Sequence, residues 1–321
     1  MTTDTGALVA ANTTRGERWL ARALGPARTV AATTKYRRAY RNWFTVLRAV
    51  QRPGGLPVDA ILHTGQRVSL ESEEACFAYA LSLGLPSAVD RPEIVGFQAG
   101  ELTLRYRNSE VGATVRVRGL LGNGDPGVFF DPIYTNLPVG GAVVVDGGAN
   151  IGDSAIEFAL RGAARVLALE PLTENFATAC DNVRRNRLES TIRVERIALG
   201  PTSGTIRVDR AGGTRTRVGA GRREGEETPM LALEELVAKE GLEDAVLKLD
   251  CEGAEYEILA GCSDPSLRKF RHALVEYHYG HRALSRKFAS AGFRVTLLPG
   301  RIPAWKPRTG GYVGYLRADR R

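Results

Sequence analysis

From Gly140 onward, short apolar runs typical of β-strands alternate with segments that have the apolar spacing of helices. The predicted strands are 142–146, 165–169, 192–199, 245–250, 273–278 and 293–298, with a last edge strand at 312–317. The predicted helices are 153–161, 173–187, 231–240, 254–260 and 281–291. This alternation predicts an α/β domain built on a doubly wound parallel sheet.

Residues 200–229 interrupt the alternation. They are rich in Gly, Arg and Glu, and they contain one predicted strand, 205–208. A connection of this length in a compact domain is usually functional or mobile. We therefore expect this segment to form an insertion that covers the ligand-binding site of the α/β domain.

The part of the chain before Gly140 lacks this regular alternation of predicted strands and helices. A helix is predicted over 72–83, and short strands are predicted over 102–106 and 113–117. The sequence thus predicts three parts: a basic amphipathic helical region (1–52), an accessory α+β region (53–135) and the α/β domain (136–321).

The positive charge of the chain is concentrated in residues 1–52. This region holds ten Lys or Arg and two acidic residues, an excess equal to the net charge of +8 of all 321 residues. Its helical pattern places aromatic residues on one face, among them Tyr36, Tyr40, Trp43 and Phe44. Two interpretations stay open: the face packs on the domain, or the basic region contacts RNA, an anionic carrier or a membrane surface.

Cysteine usage and hydropathy indicate the compartment. The four cysteines form no CxxC pair and no metal-ligand spacing with histidine, which favours free thiols in a reducing, cytoplasmic compartment. No apolar run reaches the length of about 18 residues that a membrane-spanning helix needs.

The segment VVVDGGANIGD, residues 143–153, is the strongest motif. A β-branched run ends at Asp146, and the glycines that follow allow a tight turn and the close approach of a ligand. These glycines do not fit the GxGxxG spacing of dinucleotide-binding enzymes, and Asp146 would repel a pyrophosphate. An acid at this place suits S-adenosylmethionine (SAM), which carries ammonium and sulfonium groups.

The segment LALEP follows the second strand of the domain and places Glu170 at its carboxyl end. An acid at this position can accept hydrogen bonds from the hydroxyl groups of a ribose. The sequence therefore predicts that Glu170 binds the same nucleoside as the glycine turn.

Two later segments, LKLDCEGAEYEIL and LVEYHYG, supply candidate catalytic groups. Asp250 and Glu252 follow one strand, and Glu276 and His278 lie at the end of the next. Because the carboxyl ends of parallel strands line the ligand crevice, we expect all four near the site. His278 is a candidate general base, and the acids are candidate catalytic carboxylates or simply acids at a helix N-terminus. The carboxylates could hold a divalent ion, but no ligand spacing requires a metal, and none is assigned.

Together and in this order, VVVDGGANIGD, LALEP and LKLDCEGAEYEIL resemble the FkbM family of SAM-dependent methyltransferases. The resemblance covers roughly residues 128–300 and implies a class I methyltransferase (Rossmann-like) fold that methylates hydroxyl groups, often on sugars or secondary metabolites. It implies that the cofactor is held by Asp146, Gly147, Gly148, Ala149, Asn150, Gly152 and Glu170. Asp250, Glu252 and Gly253 resemble the acidic motif at the end of the later strand. Gly147 departs from the usual Val of the family turn.

The sequence suggests three classes of function. The first is SAM-dependent O-methylation of a sugar, a glycan or another small metabolite, in which the enzyme aligns donor and hydroxyl and removes a proton. The alternative is an RNA methyltransferase that uses the basic region 1–52. The signatures of base amino-group and cytosine C5 methylation are absent. A nicotinamide oxidoreductase or a non-enzymatic binding module is disfavoured by the glycine spacing and by Asp146.

Overall fold

The computed structural model describes residues 33–84, 92–106, 114–121, 125–210, 216–219, 225–298, 304–306 and 311–320. These residues form two compact units, which meet in the sequence between Asn136 and Leu137. The predicted three-part division stays a prediction. Residues 1–32, which hold part of the predicted basic region, lie outside the described residues.

The first unit combines short helices with two small antiparallel sheets. After a helical stretch at 33–39, its helices are α1 (Trp43–Val50), α2 (Glu73–Gly84) and α3 (Pro132–Thr135). Strands β1 (Val58–Ile61) and β2 (Arg67–Leu70) form a hairpin, and β3 (Glu93–Gln98), β4 (Glu101–Arg105) and β5 (Thr114–Val117) form a three-stranded sheet. The predicted helix at 72–83 and the two predicted strands are confirmed.

The aromatic face near residue 40 is partly internal. Tyr36 and Tyr40 are buried, and the Tyr40 hydroxyl donates a hydrogen bond of 2.6 Å to the carbonyl oxygen of Cys76. Phe44 is 61% exposed. The two tyrosines therefore pack within the first unit, whereas contact with RNA, an anionic carrier or a membrane surface stays a prediction. Within the described parts of the chain, no helix has both the length and the apolar composition for crossing a bilayer.

The second unit is built on one large sheet. Its strands are β6 (Val143–Gly147), β7 (Arg165–Leu169), β8 (Ile192–Glu195), β13 (Ala245–Leu249), β14 (Phe270–Tyr277), β15 (Phe293–Leu297) and β17 (Gly311–Arg320), with β16 (Ala304–Lys306) paired to β17. The helices are α4 (Asp153–Leu160), α5 (Thr173–Arg185), α6 (Leu233–Glu240), α7 (Glu255–Gly261), α8 (Asp264–Leu267) and α9 (Arg282–Ser290). The predicted α/β class is confirmed.

The strand order in this sheet is β15-β17-β14-β13-β6-β7-β8. Every residue of β13 is buried, as expected for a central strand that is covered on both faces. The order reverses between β6 and β13, which pair in parallel. At such a switch point the connections leave in opposite directions and open a crevice at the carboxyl ends of the strands.

The strand predicted over 312–317 is present, but the prediction that it lies at the edge of the sheet was wrong. β17 lies between β14 and β15 and is antiparallel to both of them. A strand that returns antiparallel needs no crossover helix, whereas a parallel neighbour needs a connection of about a dozen residues or more, usually helical. The described residues between β15 and β17 include the strand β16 and no helix, which fits the antiparallel return.

The prediction of a single strand within residues 200–229 was also wrong. The structure has β10 (Gly204–Arg210), β11 (Thr216–Gly219) and β12 (Glu226–Ala232), which form a second sheet with β9 (Ala198–Gly200) in the order β11-β10-β12-β9. The predicted strand 192–199 is accordingly split between β8 and β9. Charged residues hide the strand pattern, since they pair across the strands, as Arg207 does with Glu227 at 2.6 Å.

Candidate active site

A cavity opens at the carboxyl ends of β6, β7 and β13. Residues from all three strand ends and from the segment after β8 line it, among them Gly148, Asn150, Glu170, Ile197, Asp250 and Glu252. The three motifs that the sequence singled out therefore meet at one place, although they are far apart along the chain.

The glycine turn after β6 is held against two neighbouring strands. Gly148 has a φ of 76°, and a Cβ at this position would lie 1.9 Å from the carbonyl oxygen of Asp250. The backbone N–H groups of Gly148 and Ala149 both donate to the carbonyl oxygen of Leu169, at 3.1 and 3.0 Å. The turn thus needs a glycine at 148, because only a residue without a side chain fits between the strands.

Asp146 lies beneath this turn and is fully buried. Its carboxylate accepts a hydrogen bond of 2.6 Å from the Ser154 hydroxyl and lies 3.0 Å from Nζ of Lys248. Lys248 also donates to the carbonyl oxygen of Gly148 at 2.8 Å. Burial acts to lower the pKa of Lys248, but the charges of Asp146 and Asp250 outweigh it and raise that pKa above its ordinary value. Lys248 therefore stays charged and ties β13 to the turn.

Glu170 is buried at the end of β7 and faces the cavity. Its two carboxylate oxygens accept hydrogen bonds from the backbone N–H groups of Asn150 (2.9 Å) and Leu172 (3.0 Å). Burial raises the pKa of Glu170 to about 7, against the opposing effect of these hydrogen bonds. The charge of this side chain therefore changes near neutral pH.

His278 lies directly after β14 among three carboxylates. Its Nδ1 is 2.9 Å from Oε1 of Glu255, and its Nε2 is 3.3 Å from Oε2 of Glu252 and 3.9 Å from Oδ1 of Asp250. Burial acts to lower the pKa of His278, but the charges of Glu255 and Glu252 outweigh it and hold that pKa well above its ordinary value. We call Asp250, Glu252 and His278 the acid–histidine cluster.

Glu255 contacts the cluster through its buried carboxylate. The side chain is fully buried, and its Oε1 also accepts hydrogen bonds from the backbone N–H groups of Cys251 (3.0 Å) and Gly253 (3.2 Å). Its other oxygen, Oε2, is buried and has no hydrogen-bond partner among the described residues. One carboxylate thus fixes both the turn after β13 and the ring of His278.

Glu276, the fourth predicted catalytic residue, has a different setting. Its Oε2 accepts a hydrogen bond of 2.7 Å from the hydroxyl of Tyr315, which lies on the neighbouring strand β17. It does not line the cavity. The structure therefore brings Asp250, Glu252 and His278 together and places Glu276 at the pairing of β14 with β17.

Sequence reasoning missed Lys248 and undervalued Glu255. The signal for Lys248 was a lysine in the otherwise apolar strand AVLKL, since a lysine is almost never fully buried unless it is paired. For Glu255 the sequence signals only an acid in the first turn of a helix, because the spacing gives no hint that His278 lies next to it in space.

The mostly parallel sheet, whose strand order reverses between β6 and β13, forms a class I methyltransferase (Rossmann-like) fold together with the glycine turn and the acid after β7. Residues 146–295 match the family model of the methyltransferase FkbM domain. The match covers just under half of the 321 residues and confirms the family resemblance that the three sequence motifs predicted.

Solved structures of similar proteins include the methyltransferase FkbM from Methylobacillus flagellatus KT, which is 18% identical over 55% of this chain and 43% of its own (TM-score 0.39). The precorrin-6y C5,15-methyltransferase from Geobacter metallireducens is 13% identical over 59% of this chain and 86% of its own (TM-score 0.35). TrmK of M. capricolum, solved with S-adenosylhomocysteine (SAH), is 11% identical over 56% of this chain and 62% of its own (TM-score 0.35). No curated protein matches the chain.

Proposed function

We propose that the second unit transfers a methyl group from SAM to a hydroxyl group of a sugar, a glycan or another small metabolite. The observation that carries this proposal is the shared cavity at the strand ends. The cavity is lined both by Glu170 and the glycine turn and by Asp250 and Glu252 of the acid–histidine cluster. A donor and an acceptor can therefore meet in one place.

On the donor side, Glu170 would accept hydrogen bonds from the ribose hydroxyls, and the turn from Gly147 to Gly152, with Ala149 and Asn150, would approach the cofactor closely. Apolar residues such as Leu169 and Ile197 line the same cavity and offer a surface for the adenine ring. Asp146 would act through the turn rather than by touching the cofactor, since its carboxylate is engaged with Lys248 and Ser154.

On the acceptor side, the acid–histidine cluster would bind the hydroxyl group and receive its proton. The hydroxyl oxygen then forms a bond to the methyl carbon, the carbon–sulfur bond breaks, and its electron pair stays on sulfur, which leaves neutral SAH. The enzyme accelerates this displacement by aligning oxygen, carbon and sulfur and by accepting the proton. Glu276 would contribute from β14, two residues before His278, by holding the hydroxyl of Tyr315 on the neighbouring strand β17.

We expect the purified protein to bind SAH in a calorimetric titration and to transfer a labelled methyl group from SAM to a glycan or metabolite fraction. No detectable SAH binding would refute the proposal. Transfer to RNA that is lost when residues 1–52 are deleted would favour the RNA alternative instead, because phosphate contacts make such binding depend on that basic region and on salt.

The affinity for SAH is expected to rise with pH because Glu170 titrates near pH 7. A ligand that needs the ionised carboxylate should bind about tenfold more weakly at about pH 6 than at about pH 8. Glu170→Gln should bind SAH weakly at every pH and show no such rise in calorimetry. A pH profile of the wild type that is as flat as that of the variant would exclude Glu170 as the ribose acceptor.

A further inference from the structure

We propose that the acid–histidine cluster of Asp250, Glu252 and His278 binds a divalent cation of the Mn²⁺ class at the carboxyl ends of β13 and β14. This inference deepens the proposed function and, in the catalytic role that it gives the ion, rests on it. The binding site itself is argued from the geometry of the cluster alone.

The first argument is the spacing of the ligand atoms. One nitrogen of His278 and one oxygen each of Asp250 and Glu252 all lie within 4.8 Å of one another. Neighbouring ligands of an octahedral ion are about 3 Å apart when each lies about 2.1 Å from the metal. The distance of 3.3 Å from Nε2 to Glu252 is close to that value, and the distance of 3.9 Å to Asp250 is about 0.9 Å longer. Small side-chain rotations would complete the ligand set.

The second argument is the orientation of the imidazole ring. Glu255 Oε1 already accepts two backbone hydrogen bonds, so the carboxylate is an acceptor and Nδ1 of His278 carries the hydrogen between them. Nε2 faces Asp250 and Glu252, and a bound metal ion would displace its proton and bind its lone pair. In a metal-ligating histidine, the ring nitrogen that does not bind the metal usually donates a hydrogen bond to a carboxylate. This hydrogen bond fixes the tautomer and the ring orientation.

The third argument is charge. Three carboxylates surround His278, and Oε2 of Glu255 is buried without a hydrogen-bond partner among the described residues. The buried cation of the same strand, Lys248, is already bound to Asp146 and to the carbonyl of Gly148. A divalent ion would balance the excess negative charge. A mixed set of two oxygens and one imidazole nitrogen suits first-row divalent metals better than Ca²⁺ or Mg²⁺, which prefer oxygen alone.

The ion would also define the acceptor class. Three protein ligands leave open coordination positions, which two neighbouring hydroxyl groups of one sugar ring can fill as a chelate. A hydroxyl bound to the ion becomes more acidic, so its proton can pass to a carboxylate oxygen of the cluster that is not bound to the ion. The oxygen then attacks the methyl carbon as described above. The substrate class is therefore a vicinal diol rather than an isolated alcohol.

The test is a titration of the metal-free full chain with Mn²⁺, followed by the loss of the electron paramagnetic resonance signal of free Mn²⁺. We expect one site in the wild type. Asp250→Asn and His278→Gln should each weaken Mn²⁺ binding at least about tenfold. Glu243→Gln removes an exposed carboxylate of the same unit, bound to Lys269, and should leave the affinity unchanged.

Calorimetry with SAH separates this proposal from the proposed function. His278→Gln should retain SAH binding, which shows that it is folded, while it loses Mn²⁺. The metal site would be overturned if the wild type bound no Mn²⁺, or if the wild type and both cluster variants bound it with equal affinity. Neither result would affect the proposed cofactor binding. A protonated His278 that holds the two carboxylates together would produce such a result. Mn²⁺ binding without SAH binding would instead retain the site and refute the methyl-transfer proposal.

Discussion

Gly148→Ala is expected to reduce the affinity for SAH at least about a hundredfold in a calorimetric titration. The new Cβ would lie 1.9 Å from the carbonyl oxygen of Asp250, and the residue would have to keep a φ of 76°. Either the turn or the end of β13 must therefore move, and a displacement of about 1 Å at such a place can cost on the order of a hundredfold in function. The variant should also unfold at a lower temperature than the wild type.

Gly162→Ala is the matched control for this variant. Gly162 has a φ of 82°, so alanine suffers a similar conformational penalty, but a Cβ there would meet no atom within 4 Å. We expect a small loss of stability and an unchanged affinity for SAH. If Gly148→Ala binds SAH as well as Gly162→Ala does, the glycine turn does not border the cofactor.

Asp146→Ala is expected to destabilise the protein by about 3–5 kcal/mol, because it leaves the charge of Lys248 buried without its partner. Urea denaturation followed by circular dichroism measures this change. Asp181→Ala is the control, since it removes a carboxylate that pairs with Arg184 and Arg185 at the surface and should cost only about 0–1 kcal/mol.

A double-mutant cycle tests the origin of this effect. Asp146→Asn combined with Lys248→Met removes both charges, so the pair should cost less than the sum of the two single changes. Additive losses would show that the two side chains do not interact in solution. They would also remove the argument that the ion pair of Asp146 and Lys248 stabilises the strand ends below the glycine turn.

The large sheet could be predicted because its strands are continuous apolar runs separated by helices of regular spacing. Two errors have different origins. β17 was predicted at the edge, although it is inserted between β14 and β15, because pairing over long sequence distances leaves no periodic signal in a single sequence. β10 to β12 were predicted as one short strand, because charged residues that pair across these strands hide the apolar alternation.

The sequence by itself determined the class of the fold, the glycine turn and the acids at Asp146, Glu170 and Asp250, because strand ends and tight turns are local features with strict residue requirements. Only the tertiary structure decided what those acids contact. Asp146 proved to hold Lys248 and Ser154 beneath the turn. Glu255 and His278, from different elements, became neighbours at 2.9 Å. Buried charges can persist only beside partners, and the sheet chooses those partners by bringing distant strand ends to one edge.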